Sequence, residues 1–241
     1  MRYFRQIATV AVKDLRAELR TKEALNASLA FALMILLLFS YTFDPSQEMM
    51  REVSGGLLWI VFAFAGTLTL NRSFARELPN DCLDALIAAP IPGSALFLGK
   101  CAACFVLVLA VELVSLPVFG IFYNVHWTAQ LPSLIMVLLL GTWALTVIGT
   151  IFSALTVNIK LREVMLPMLT YPILMPALMA AMRLTNLLVT GQPIGEEDMD
   201  WLKMLIGFDV IFTAVSLALV ETVLVGCCRP LCSTPRCGPR S

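Results

Sequence analysis

Glu112 is the one charged residue in an otherwise apolar run, residues 101–123, with Ser115 and the helix-bending Pro117 close by. Where such a run crosses a bilayer, a charge near its centre costs at least about 3 kcal/mol. Two roles fit a carboxyl there. It faces an internal polar path or a polar group of a substrate, or it is protonated and hydrogen-bonded to a neighbouring helix that it helps to hold. Asp209 and Glu221 lie in the last apolar run, each about a turn and a half from an end, where polar heads reach the interface. Packing is the expected role of both.

His126 is the single histidine, next to Trp127 in a short loop at residues 124–130. Imidazole is a common axial ligand to haem iron, which makes His126 a candidate haem ligand. A polar residue beside Trp is also ordinary at a membrane–water boundary. Of the seven cysteines, Cys101 and Cys104 form a CxxC without the strand–helix context of a redox motif or the following His of a haem-attachment site. They read as helix-packing residues. Cys227, Cys228, Cys232 and Cys237 crowd the last residues at spacings that match no common zinc motif, so no metal site is expected. Gly93 to Gly99-Lys100 resembles a phosphate-binding loop, but five residues separate the glycines instead of four, and Cys101 replaces the required Ser or Thr. No nucleotide site is visible, and no paired-carboxylate, Ser-His or His-Glu arrangement suggests an enzyme.

The elements that carry these residues follow from composition. Hydrophobic residues make up 59% and charged residues 14%, against about 25% charged in ordinary soluble domains. The apolar runs cover residues 24–43, 54–70, 101–123, 131–157, 164–182 and 203–226. Twenty helical residues span roughly 30 Å, the thickness of the hydrocarbon core. Continuous runs exclude an alternating barrel, so the expected fold is an all-α integral membrane protein with six transmembrane helices. One domain is expected over residues 1–226, followed by a disordered cytoplasmic tail at 227–241.

Basic residues set the orientation. With alternate crossings, fourteen fall on the side of the termini and three, Arg51, Arg183 and Lys203, on the other. The positive-inside rule places both termini in the cytoplasm. The first 23 residues contain Asp14, Glu18 and Glu23 and lack the pattern of a signal peptide. Phe4, Ile7, Val10, Leu15 and Leu19 instead recur at helical spacing among basic residues, the mark of an amphipathic interfacial helix. In the fifth span Pro167, Pro172 and Pro176 predict bends, and residues 183–193 read as a partial helix dipping into the outer leaflet. The outer half of spans five and six is therefore expected to be irregular.

Residues 71–100 are too polar to cross a bilayer and too apolar for a plain loop. Asn80 can cap a short helix, and Asp81 and Asp84 suit its positive end. Leu83, Leu86 and Ile87 form one apolar strip suited to a cleft on a partner, and Pro90 and Pro92 end the helix. It is too short to stand alone in water.

The segments KDLRAELRTKEAL at 13–25 and RELPNDCLDALIAAPIPGSALFLGK at 76–100 resemble the permease subunits of type-2 ABC exporters, and more closely the haem exporter protein B (CcmB) family of the cytochrome c maturation system. The resemblance runs from Met1 to about Gly226. It implies an inner-membrane permease subunit whose ATP is hydrolysed by a CcmA-like ATPase. It also implies CcmC-like and CcmD-like membrane partners, a homodimer in the complex, and release of the haem-loaded chaperone CcmE. Haem would be substrate, not resident cofactor. No nucleic-acid partner is implied. The family's ATPase-coupling element maps onto Glu77, Asp81, Leu83, Asp84, Leu86, Ile87 and Pro90. An exporter of another amphiphilic substrate and a scaffold that remodels a haem–chaperone complex without transport are the alternatives.

Overall fold

The computed structural model describes residues 2–42, 48–75, 92–123, 130–156 and 162–228. All regular structure among them is helical: α1 (Arg2–Thr21), α2 (Glu23–Thr42), α3 (Glu48–Ala75), α4 (Gly93–Phe122), α5 (Leu131–Thr156), α6 (Arg162–Val189) and α7 (Met199–Cys228). Six helices, α2 to α7, are long and apolar enough to cross a membrane.

α1 and α2 are separated by a single residue. Lys22 takes the left-handed conformation at φ 55, which costs a non-glycine residue roughly 1–2 kcal/mol. Glu18 offsets this. Its buried carboxylate accepts the backbone N–H groups of Ala24 at 2.8 Å and Leu25 at 3.2 Å, two first-turn donors of α2 that no helical carbonyl can reach. The carboxylate thus caps α2 from the preceding helix, and negative charge suits that end.

α3 and α5 form the centre of the bundle. The window of each that is apolar enough to span is 72% buried, against 22% for α2 and α7, which flank it. α6 packs extensively on both α3 and α5. Trp59 of α3 joins all three helices: its Nε1–H donates to Thr185 of α6 at 2.8 Å, and its ring lies over Gly141 of α5. Nearby, the Gly55 N–H donates to Asn186 Oδ1 at 2.7 Å. A Cβ at position 141 would collide with the indole. Gly141→Val is therefore expected to lower stability by about 3 kcal/mol, the upper part of the usual cost of overpacking, read as loss of the monodisperse protein in detergent gel filtration.

Two helices depart from the sequence expectation. α4 starts at Gly93, eight residues before the apolar run that predicted it. α6 is continuous to Val189 through Pro167, Pro172 and Pro176, and residues 183–189 extend it instead of forming a separate partial helix. Proline's fixed φ is itself helical. Pro172 and Pro176 lie on the exposed side, so the lost donors do not disturb the packed face, where Leu174, Ala177, Ala181, Leu184 and Leu188 are buried.

Candidate functional site

Two places in the fold gather the polar groups that a membrane bundle would otherwise avoid. The first is the seam between α4 and α5. These helices are joined by a short connection, which makes them antiparallel neighbours. Glu112 is 1% exposed. The Thr142 Oγ1 of α5 lies 2.8 Å from one of its carboxyl oxygens and 2.6 Å from the other. The Thr142 hydroxyl donates its hydrogen to the carboxyl, shared between the two oxygens, and ties α5 to α4. This is the geometry of the helix-bonding role. Ser115, one turn further along α4, is fully buried and its Oγ has no partner, which is the kind of group a polar path would use.

The seam continues toward the other end of α4. Thr142, Thr146, Thr150 and Ser153 are all buried and recur at helical spacing down one face of α5. The Cys101 thiol lies beside the hydroxyls of Thr146 and Thr150, and Cys101 and Cys104 are both buried free thiols. Their packing role agrees with the expectation from the sequence. Asp209 differs from it. The residue is 6% exposed and faces inward on the stripe Leu205, Ser216 and Val220, with neither carboxyl oxygen partnered. One turn on, Trp143 Nε1–H donates to Thr213 Oγ1 at 3.1 Å and fastens α7 to α5.

The second place is where α1 meets the first turns of α4. Val10 of α1 presses on Gly99: a Cβ there would lie 2.7 Å from the Val10 Cβ and 3.0 Å from the Ile7 carbonyl oxygen. Lys100, only 4% exposed, places Nζ 3.3 Å from Asp14 Oδ2, while Lys13 lies 3.3 Å from Oδ1. The residues that imitate a phosphate loop are thus the seat of α1. Arg5, Arg16 and Arg20 stay exposed on the opposite side of that helix.

The docking candidates Glu77, Asp81, Leu83, Asp84, Leu86, Ile87 and Pro90 lie outside the described residues, as does His126. Cys232 and Cys237 do too, and so does the side chain of Glu221. The described residues that follow these candidates are the start of α4, held by α1. Reading the sequence alone missed Thr142, Glu18 and the Asp14–Lys100 pair. The hydroxyl spacing of four along α5 was the available signal for the first. The other two had none, because their partners are set by tertiary contact.

The family model described as CcmB protein matches residues 5–224, a stretch that contains both the seat of α1 and Glu112. The chain is 33% identical over 208 residues to the Heme exporter protein B of Rhodobacter capsulatus, covering 86% of this chain and 91% of that protein. It is 30% identical over 167 residues to that of Paracoccus denitrificans, covering 69% and 76%. With Heme exporter protein B of Pseudomonas aeruginosa it shares 26% over 215 residues, covering 89% and 95%. A match that runs from the first helix into the last, at this identity, takes in the whole described bundle: the chain is a multi-pass membrane protein of the CcmB family.

Proposed function

We propose that this chain is the membrane subunit of an ATP-driven complex that handles haem in cytochrome c maturation. The observation that carries the reading is the match over residues 5–224 to relatives called heme exporters. The permease domain extends over residues 1–226, and the tail expected from 227 follows α7, whose helix runs on to Cys228. Both termini lie in the cytoplasm of an inner-membrane protein, on the strength of fourteen basic residues against three. α1 rests in the headgroup layer with Arg5, Arg16 and Arg20 toward the anionic surface.

ATP hydrolysis belongs to a separate CcmA-like subunit, and this chain is non-catalytic. The ATPase grips the segment containing Glu77, Asp81, Leu83, Asp84, Leu86, Ile87 and Pro90. That segment leads straight into α4, so force applied to it reaches Gly99, Lys100 and, through them, α1. CcmC-like and CcmD-like proteins and a second copy of the chain complete the complex, against the weakly covered α2 and α7. Its output is release of the haem-loaded chaperone. Glu112 is the intramembrane residue through which the helices respond, and His126 is the candidate contact to haem.

Leu86→Asp puts a charge in the apolar strip that would enter the ATPase cleft. The ATPase is expected to be lost from the purified complex while the membrane protein still inserts and folds. Stoichiometric co-purification of the ATPase with this variant would remove the docking assignment.

A further inference from the structure

We propose that α4 and α5 are a one-turn ratchet, with the Glu112 carboxyl moving between Thr142 and Thr146 along a ladder of hydroxyls. The inference rests on the coupling reading above and names the motion it would drive.

The ladder is visible in the side chains. Thr142, Thr146, Thr150 and Ser153 of α5 are all buried, and successive rungs lie a helical turn apart. Facing them, α4 presents Ser115, Glu112 and Cys101. In the structure Glu112 occupies the Thr142 rung, and Cys101 is buried near Thr146 and Thr150, the Thr150 Oγ1 having no hydrogen-bond partner. Ser115 has no rung and its buried Oγ is orphaned. The Thr146 hydroxyl donates to its own helix, to the Thr142 and Trp143 carbonyls at 2.9 and 3.0 Å, and can turn toward a new acceptor.

Moving α4 toward the Thr156 end of α5 by one turn, about 6 Å, brings Glu112 level with Thr146. The same stroke brings Ser115 to within about 1.5 Å of the level of Thr142 along the axis. The orphan gains a partner, and the carboxyl exchanges one hydroxyl for another. Cys101 meets hydroxyls in both registers, because Thr150 and Ser153 continue the ladder. Both positions give the carboxyl a hydroxyl, and the shifted one also serves Ser115, which the resting one leaves without a partner; two such discrete arrangements are what a switch between packed helices requires.

The ladder also gives the stroke a direction. On the other side of Thr142 the α5 face offers Leu138 and Leu134, both buried. A carboxyl moved there would have no partner in an apolar site, a penalty of several kcal/mol. Movement is therefore favoured only toward the end of α4 that joins the docking segment. α1 travels with it, since Val10 bears on Gly99 and Asp14 holds Lys100. The Lys22 elbow is the joint that takes up the change of angle. The stroke breaks the 3.3 Å bond from the Tyr123 hydroxyl to the Leu36 carbonyl, a long and replaceable contact.

Thr146 decides the matter, because in the resting structure the carboxyl of Glu112 is held by Thr142 and not by Thr146. Thr146→Val should leave thermal stability and ATPase co-purification unchanged and lower cytochrome c assembly roughly three- to tenfold, the scale of one interhelical hydrogen bond. Thr146→Ser should restore it. A second measurement reads the register directly in the purified complex, in a chain with its native cysteines replaced. Glu112→Cys with Thr142→Cys should cross-link without nucleotide, and Glu112→Cys with Thr146→Cys should do so with ATP and vanadate. Wild-type assembly in Thr146→Val overturns the ratchet. So does a 112–142 link in both states with no 112–146 link while ATP is hydrolysed, and this leaves the coupling reading standing. Absence of the 112–146 link together with failure to retain any ATPase counts against both.

Discussion

Glu112→Leu is expected to leave the protein as stable as the wild type and to reduce cytochrome c assembly at least roughly tenfold, the mark of an intramembrane carboxyl kept for function. Stability should hold because the substitution removes a buried polar group and supplies an apolar one of similar size, a change that is often neutral or favourable. Thr142 would not be orphaned. Its hydroxyl can turn to the carbonyl four residues earlier, as Thr67, Thr69, Thr146 and Thr156 already do. Glu112→Gln retains an acceptor and a donor at the same place and should keep most of the activity. Thermal unfolding in detergent and covalent haem content of the assembled cytochromes measure the two effects separately. If Glu112→Leu lost stability and activity in proportion, the carboxyl would be a packing element and nothing more.

Lys100→Met is the second large effect. Removing one partner of a buried ion pair leaves the other uncompensated, at about 3–5 kcal/mol. Asp14 is 12% exposed and keeps Lys13 at 3.3 Å, so a cost at or below the bottom of that range, about 2–3 kcal/mol, is expected. Because Asp14 belongs to α1, the loss should appear as detachment of that helix. A cysteine at position 10, buried in the wild type, should react with a maleimide roughly thirtyfold faster in the Lys100→Met background, the ratio equivalent to about 2 kcal/mol. Lys100→Met combined with Asp14→Leu should recover much of the protection. Unchanged labelling in Lys100→Met would show that Val10 and Gly99 seat α1 without the ion pair.

The spans were legible in the sequence because each is an apolar run of bilayer length, and helix is the only form such runs can take. Their ends were not. The apolar run of α4 was cut at Lys100 because a cation looks like a boundary, yet this cation is buried against Asp14, 86 residues earlier. α6 looked broken because three prolines fall in one span, and nothing local says that two of them lie on the exposed side. Glu112 was legible as an anomaly from its surroundings alone. Its partner Thr142 lies 30 residues away on another helix and resembles any threonine in an apolar run until the helices are placed. Asp209 was read as interfacial from its depth, and its inward aim depends on how α7 is rotated, a property of packing that the sequence does not carry.

The seat of α1 sets an order of events during synthesis. α1 is made before α2 to α4, but Val10 meets Gly99 and Asp14 meets Lys100 only after α2, α3 and residues 76–91 have been translated. At about 5–20 residues per second, the ribosome needs roughly 4–18 s to cover that stretch. For that interval the face of α1 that carries Val10 and Asp14 lacks the α4 surface on which it comes to rest. α1, made before α4, is thus among the later of the described helices to find its place. A truncated chain ending before Gly93 should leave α1 exposed to protease even when α2 and α3 have inserted.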